Sequence, residues 1–332
     1  MNRAPYRAIA GLGAATIVAF GSWFYAYTVL IEPIAADTGW TIGFLSAVYG
    51  IAQLTGTILA VDGGRSLERI GARPAIAVGG GLGGIAIALA ATGGPLGFAI
   101  GFGLGGGLIG ATSFYHVTLA AAARFDAARP ERSVTAVSIA GAFAGPIFLP
   151  ITALLVEGLG WEPTVRILGT VAGGGLFLSA LLTPGGGAAP SDTSEAGLWT
   201  VFRDAWADRQ SRLKLIAAPI AALGYGILLV HQIPVMVAAG MTLTAAAAYT
   251  GARGFAQLGG RLIVVPVVRR IGTAPAMIGT YLFGAFGAAI LLWSNNTVVA
   301  VVYTIAAGLA IGVGPVLDAV YSAEIYESTR LG

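Results

Sequence analysis

The feature that most constrains this chain is an alternation of charge between apolar runs. Ten long apolar stretches, at about 9–31, 44–62, 74–92, 96–123, 134–156, 163–183, 213–238, 244–268, 275–293 and 297–317, are joined by short polar segments. Every second segment carries base. Arg3 and Arg7 precede the first stretch. Arg65, Arg69 and Arg73 follow the second, and Arg124, Arg129 and Arg132 the fourth. Arg203, Arg209, Arg212 and Lys214 follow the sixth, Arg269 and Arg270 the eighth, and Arg330 lies in the tail. The intervening segments hold Glu32, Asp37, Glu157 and Glu162 and no base. A helix needs about 20 apolar residues to cross a hydrocarbon core of about 30 Å, and each stretch has roughly that length. A membrane barrel would show shorter, alternating segments. The chain is therefore expected to be all-α: a polytopic membrane helix bundle, multi-pass in the lipid bilayer of the cell (cytoplasmic) membrane. The positive-inside rule places both termini on the cytoplasmic side.

Composition agrees with lipid as the solvent. Only 10% of residues are charged and 56% are hydrophobic, against about a quarter charged in soluble domains. Mean hydropathy is +0.83, more apolar surface than a soluble domain of this length conceals. The pI near 9.3 does not imply a nucleic-acid partner, because the bases flank membrane spans. The first stretch is too long and too aromatic, with Trp23, Tyr25 and Tyr27, for a signal peptide, and reads as a retained helix. With no cysteine, and only His116 and His231 as histidines, no metal site and no cofactor is expected. No paired acids or Cys/His clusters are placed for catalysis, so an enzyme is not expected.

The segment Thr183-Pro-Gly-Gly-Gly-Ala-Ala-Pro-Ser191 reads as a flexible linker. Leu198–Leu213 sets Trp199, Phe202, Trp206 and Leu213 among charged residues, the pattern of an amphipathic helix at the membrane surface. Three regions follow: a six-span bundle at 1–183, a cytoplasmic linker with its amphipathic helix at 184–212, and a four-span bundle at 213–332. An internal repeat supports that division. Gly50-Ile-Ala-Gln53-Leu54 recurs as Gly254-Phe-Ala-Gln257-Leu258, and Arg69-Ile-Gly71-Ala-Arg-Pro74-Ala75 recurs as Arg270-Ile-Gly272-Thr-Ala-Pro275-Ala276. The spans thus form two pseudo-symmetric repeats, six plus four.

Two repeated halves joined after the sixth span resemble the major facilitator superfamily. Gly64-Arg-Ser-Leu-Glu68-Arg69-Ile-Gly71-Ala-Arg73 resembles that family's signature between spans 2 and 3, with Glu68 where Asp is usual. The resemblance implies that Gly64, Glu68, Arg69, Gly71 and Arg73 form a structural and gating loop that latches helix ends. His231-Gln232-Ile-Pro234, Gly260-Arg261 and Gly160-Trp161 are similar to the monocarboxylate and oxalate–formate branch. There an acid often stands four residues before the span 8 arginine, whereas Gln257 stands here. Gly141-Ala-Phe-Ala-Gly145-Pro146 resembles a motif of drug exporters, although Leu149-Pro150 departs from its continuation. The family has twelve spans. Tyr321–Gly332 reads as a loop entering an eleventh, so the sequence is expected to be a piece of a longer chain.

Arg253 sits some nine residues into its span, roughly 13 Å deep at 1.5 Å per residue. A central arginine costs at least about 2.5–3.5 kcal/mol on insertion scales, and no acid lies in the middle of any of the ten spans. A planar guanidinium is suited to a carboxylate, and transporters bind substrate near the midplane. The expected function is a secondary transporter of a small organic anion, monocarboxylate-like, working by alternating access and most simply as a monomer. Arg253 would hold the carboxylate. Gln257 and Arg261 share its helix face at i+4 and i+8. His231, Gln232, Tyr25, Tyr27, Gln53 and His116 complete the candidate substrate-binding set. Tyr25 and Tyr27 read equally as interfacial anchors, and Gln53 and Gln257 as helix–helix hydrogen bonders. Arg166, one turn after Glu162, reads as a local ion pair. The alternatives are a drug or amphiphile exporter of the same fold, or a non-transporting membrane binding protein. Gly101-Phe-Gly103-Leu-Gly-Gly106 and Gly79–Gly84 read as packing faces, because no strand precedes them as a nucleotide-binding motif requires.

Overall fold

The structure, a computed structural model, describes residues 4–126, 130–185, 198–294 and 296–330. Among the described residues there is no strand. The first span is α1 (Ala4–Ala19), a π-helical segment at Phe20–Tyr25, and α2 (Ala26–Thr38). The second and third are α3 (Ile42–Ile70) and α4 (Ala72–Ala90). The fourth is split into α5 (Gly94–Ser113) and α6 (Tyr115–Phe125), and the fifth into α7 (Pro130–Ala142) and α8 (Ala144–Leu159). The sixth is α9 (Trp161–Leu182). After them come α10 (Leu198–Ala207), α11 (Arg209–Ala238), α12 (Leu243–Ile271), α13 (Thr273–Leu291) and α14 (Thr297–Arg330).

Among the described residues, nine helical stretches are long and apolar enough to cross a membrane. The remaining expected span falls on α12. It is 29 residues long, but Arg253, Arg261, Arg269 and Arg270 dilute its hydropathy. The tail differs from the sequence reading. In place of a loop from Tyr321, α14 continues to Arg330, because no glycine or proline falls between Pro315 and Gly332 to stop it. The amphipathic segment is also divided. Asp208 is extended and caps α11, its side chain accepting the Ser211 N–H at 2.7 Å.

The chain forms two compact units. The first comprises Met1–Ser191 with Thr242–Gly251, and the second Asp192–Met241 with Ala252–Gly332. In the first, α4 crosses α9 through glycines: a Cβ at Gly84 would come within 2.6 Å of Gly169 O. It crosses α5 in the same way, where a Cβ at Gly83 would lie 2.6 Å from Gly105 O. The glycines of spans 3 and 4 are thus contact surfaces between helices. Polar ties add direction. Tyr27 donates to Leu45 O at 2.7 Å, Thr16 to the Thr118 hydroxyl at 2.9 Å, and Trp161 Nε1 to Asp37 Oδ2 at 2.7 Å.

In the second unit α14 lies against α12 on a glycine seam. A Cβ at Gly308 would lie 2.7 Å from Arg253 O, and one at Gly312 would lie 2.7 Å from Gln257 Cα. Val264, Ala276 and Leu317 form a small apolar core. The half-buried Lys214 at the start of α11 reaches α14, donating to Asp318 O at 3.0 Å and pairing with its carboxylate at 3.4 Å.

The sequence repeat has a conformational counterpart within each unit. Gly71 enters α4 with φ 85° and ψ 162°, and Gly272 enters α13 with φ 84° and ψ 166°. Both lie in a region that side chains resist. The glycine of Arg-Ile-Gly is therefore a helix-entry turn in both halves.

Candidate functional site

Two polar groupings occur along the long helices, one in each unit. In the second unit Arg253 is 1% exposed on α12. Its guanidinium is permanently charged and lies within electrostatic reach of Tyr303 on α14. The Tyr303 hydroxyl donates to Gln232 Oε1 at 2.6 Å, and Gln232 Nε2 donates to Leu229 O at 2.8 Å. Tyr303 and Gln232 are fully buried, and Gln257, one turn after Arg253, is nearly so. The structure thus brings Arg253, Gln257 and Gln232 of the expected set into one unit and adds Tyr303, which sequence reasoning missed. Tyr303 lies within an apolar run, where an aromatic ring reads as packing. Only a partner on another helix reveals the hydroxyl's role.

His231 and Arg261 are half-buried in the same unit. His231 precedes Gln232 on α11, and Arg261 lies two turns after Arg253 on α12.

In the first unit Gln53 and His116 border one cavity of about 390 Å³ between α3 and the junction of α5 with α6. Thr57, Phe114, Gly56 and Gly110 share the wall, and Gly56 also lets α3 approach α5, where a Cβ would lie 3.3 Å from Gly107 O. Phe114 interrupts the fourth span with an extended backbone, φ −82° and ψ 177°. His116 Nε2 reaches back to Ala111 O at 3.0 Å across that break. The Phe114 ring stacks on Phe20 at 4.1 Å between centroids and lies parallel to Trp23 at 5.6 Å. Tyr25 is half-buried beside Phe24, with ring centroids 5.2 Å apart. Tyr27 lies elsewhere, fully buried against Phe102 at 4.6 Å with its hydroxyl given to Leu45.

Of the expected latch loop, Gly71 is the turn described above and Arg73 is exposed. The side chains of Gly64, Glu68 and Arg69 lie outside the described residues. Arg166 pairs with Glu162 at 3.5 Å, with both side chains about half exposed at 51% and 48%. Such a pair contributes about 0–1 kcal/mol. Among the described residues no cluster of three or more His, Asp or Glu suited to a metal is present.

These features define a multi-pass membrane protein whose helices pack on glycine and bury a few polar groups between them. A family model for the Major Facilitator Superfamily matches residues 12–329, and the chain belongs to that superfamily of membrane transporters. Solved structures share its fold. The nucleoside transporter NupG superposes with a TM-score of 0.72 at 15% identity, over 98% of this chain and 83% of that one. A bacterial homologue of the human lysosomal transporter Spinster, inward-facing and unoccupied, gives 0.68 at 15%, over 97% and 79%. The xylose transporter XylE from E. coli, partially occluded and inward open, gives 0.62 at 14%, over 96% and 88%. No match was found among the curated proteins.

Proposed function

We propose that this transporter carries a small organic anion of the monocarboxylate type by alternating access. The observation that carries the reading is Arg253, a permanent positive charge buried on the 29-residue α12 beside Tyr303 and Gln257. Water is excluded there, so a guanidinium–carboxylate interaction is far stronger than at a surface. The Tyr303–Gln232 bond fixes the phenol next to the charge. Fixed neighbours reduce what the guanidinium loses in freedom when it takes up a ligand. Gln257, on the Arg253 face of α12, supplies a neutral donor and acceptor. His231 and Arg261 extend the polar grouping, and Tyr25, Tyr27, Gln53 and His116 belong to the first unit's share of the pathway.

The fifteen carboxylates of the chain lie near or beyond the span ends, among them Glu32, Asp37, Asp62, Glu157, Glu162 and Asp318. A proton-driven cycle usually relies on a buried acid or histidine relay, so exchange or facilitated transport is the favoured mode. The positive-inside arrangement supports cytoplasmic termini, and the reading assigns the protein to the cell membrane.

The test is counterflow of labelled pyruvate in proteoliposomes. Wild type is expected to exchange, and Arg253→Gln to lose exchange while still inserting and remaining monodisperse. Undiminished exchange by a well-folded Arg253→Gln protein overturns the assignment.

A further inference from the structure

We infer that the first unit holds a binding site of its own, in the cavity at the break of the fourth span, for the hydrogen-bonding edge of a neutral planar group such as a ring amide or imide. The inference rests on residues of the first unit alone; two of them, Gln53 and His116, are also counted in the anion pathway, but Arg253, which carries that reading, belongs to the second unit.

Depth is the first argument. Gln53 and Thr57 lie inside the span Ile42–Ala60, where polar side chains facing lipid are costly. The backbone of Phe114 is non-helical inside the span Gly94–Phe125. Such backbone is tolerated at membrane depth only when buried in protein or lining a cavity. Neither proline nor glycine adjoins Phe114, so local sequence does not impose the break. It is held by packing, with Phe114 stacked on Phe20 and parallel to Trp23. Both rings belong to the π-helical segment Phe20–Tyr25, a distortion frequent at functional sites. Two irregular helices therefore meet at Phe114, which lines the cavity.

The hydrogen-bond inventory then selects the ligand. The Gln53 carboxamide, two donors and an acceptor, makes no hydrogen bond among the described residues. Thr57 donates to Gln53 O at 2.9 Å, which leaves its hydroxyl oxygen as an acceptor. His116 Nε2 faces the Ala111 carbonyl, which can only accept. In the neutral ring that fixes the proton on Nε2 and leaves Nδ1 as an acceptor. Among the described residues no Asp, Glu, Lys or Arg lines the cavity, so none of them balances a carboxylate or an ammonium. A neutral group that both donates and accepts in one plane is the complement. The Phe114 ring in the wall offers a face on which a planar group can stack, and the cavity falls within the volume range of small-molecule sites, about 300–1,000 Å³.

The experiment uses the full chain in lipid nanodiscs, with uracil as the probe and 1,3-dimethyluracil as the same ring stripped of its N–H donors. Saturation-transfer NMR gives the dissociation constants. Uracil is expected to bind saturably to wild type and at least about tenfold more tightly than 1,3-dimethyluracil, because buried polar groups left unpaired reject the analogue. Gln53→Leu is expected to weaken uracil by a similar factor, and Ala60→Phe to fill the cavity and abolish binding. Arg253→Gln is expected to bind uracil as wild type does. Should Ala60→Phe fail to fold, Gln53→Leu and the dimethyl comparison carry the test alone. Absence of uracil binding to wild type, equal affinity for the two rings, or unchanged affinity in Gln53→Leu each overturns the inference.

Discussion

Tyr303 and Gln232 are joined by a 2.6 Å hydrogen bond between two fully buried side chains, linking α14 to α11 beside Arg253. Removing the hydroxyl leaves Gln232 Oε1 buried without its donor. Hydrogen bonds between membrane helices couple by about 0.6 kcal/mol on average and up to about 1.7. A Tyr303→Phe, Gln232→Leu double-mutant cycle, read by unfolding in mixed micelles, is expected to give a coupling in the upper part of that range. A coupling near zero would show that the bond has no energetic role.

The α12–α14 seam gives a matched pair of glycines. A Cβ at Gly312 meets the Gln257 backbone, whereas one at Gly314 meets nothing within 4 Å. Gly312→Ala is expected to destabilise by about 1–3 kcal/mol, as overpacking does, and to displace Gln257. Gly314→Ala should leave the thermal midpoint unchanged. Equal midpoints for the two variants would contradict the close approach.

Gly71 and Gly272 share one positive-φ conformation. A backbone with φ near 85° and ψ near 165° is open essentially to glycine alone and costs another residue about 1–3 kcal/mol. Gly71→Ala and Gly272→Ala are each expected to lower stability by that order. Gly81→Ala, where φ is ordinary and nothing lies within 4 Å, should not. A silent Gly272→Ala would mean that the helix-entry turn is not shared by the two halves.

Asp208 provides a pH prediction outside the spans. Its carboxyl is held below the ordinary value, chiefly by the hydrogen bond from the Ser211 backbone N–H. A depressed pKa contributes stability above the unfolded value, about 3.9, and loses it as pH falls through the lower folded value. At neutral pH, Asp208→Ala is expected to speed amide exchange over the first turn of α11. Under acid conditions below that lowered pKa the two proteins should exchange alike. Equal exchange at neutral pH would remove the cap from the account.

Most of the fold was legible because lipid permits few solutions. An apolar run of about 20 residues must close its own hydrogen bonds, and the arginines mark alternate loops. The Arg-Ile-Gly repeat was legible as a repeat, but that Gly71 and Gly272 are positive-φ helix entries appears only in the structure. The break at Phe114 was not legible either. No proline or glycine adjoins it, and the stacking on Phe20 and Trp23 that holds it joins residues roughly ninety apart. The same holds for Tyr303, whose partner Gln232 lies 71 residues away. Arg253 stood out because a charge in an apolar run is conspicuous. Gln53 and His116 were visible as polar residues, but their shared cavity arises only from how α3 lies against α5.

The central claim is that Arg253 holds a carboxylate. Isothermal titration of the purified full chain with pyruvate and with methyl pyruvate tests it most directly, in wild type and in Arg253→Gln. A charge-assisted hydrogen bond contributes about 1.5–3 kcal/mol, and about 1.4 kcal/mol is tenfold in affinity. The account predicts saturable binding of pyruvate to wild type, and at least about tenfold weaker binding of the ester. It predicts a similar loss of pyruvate affinity in Arg253→Gln. Equal affinity for acid and ester, or unchanged pyruvate affinity in a monodisperse Arg253→Gln protein, would contradict it.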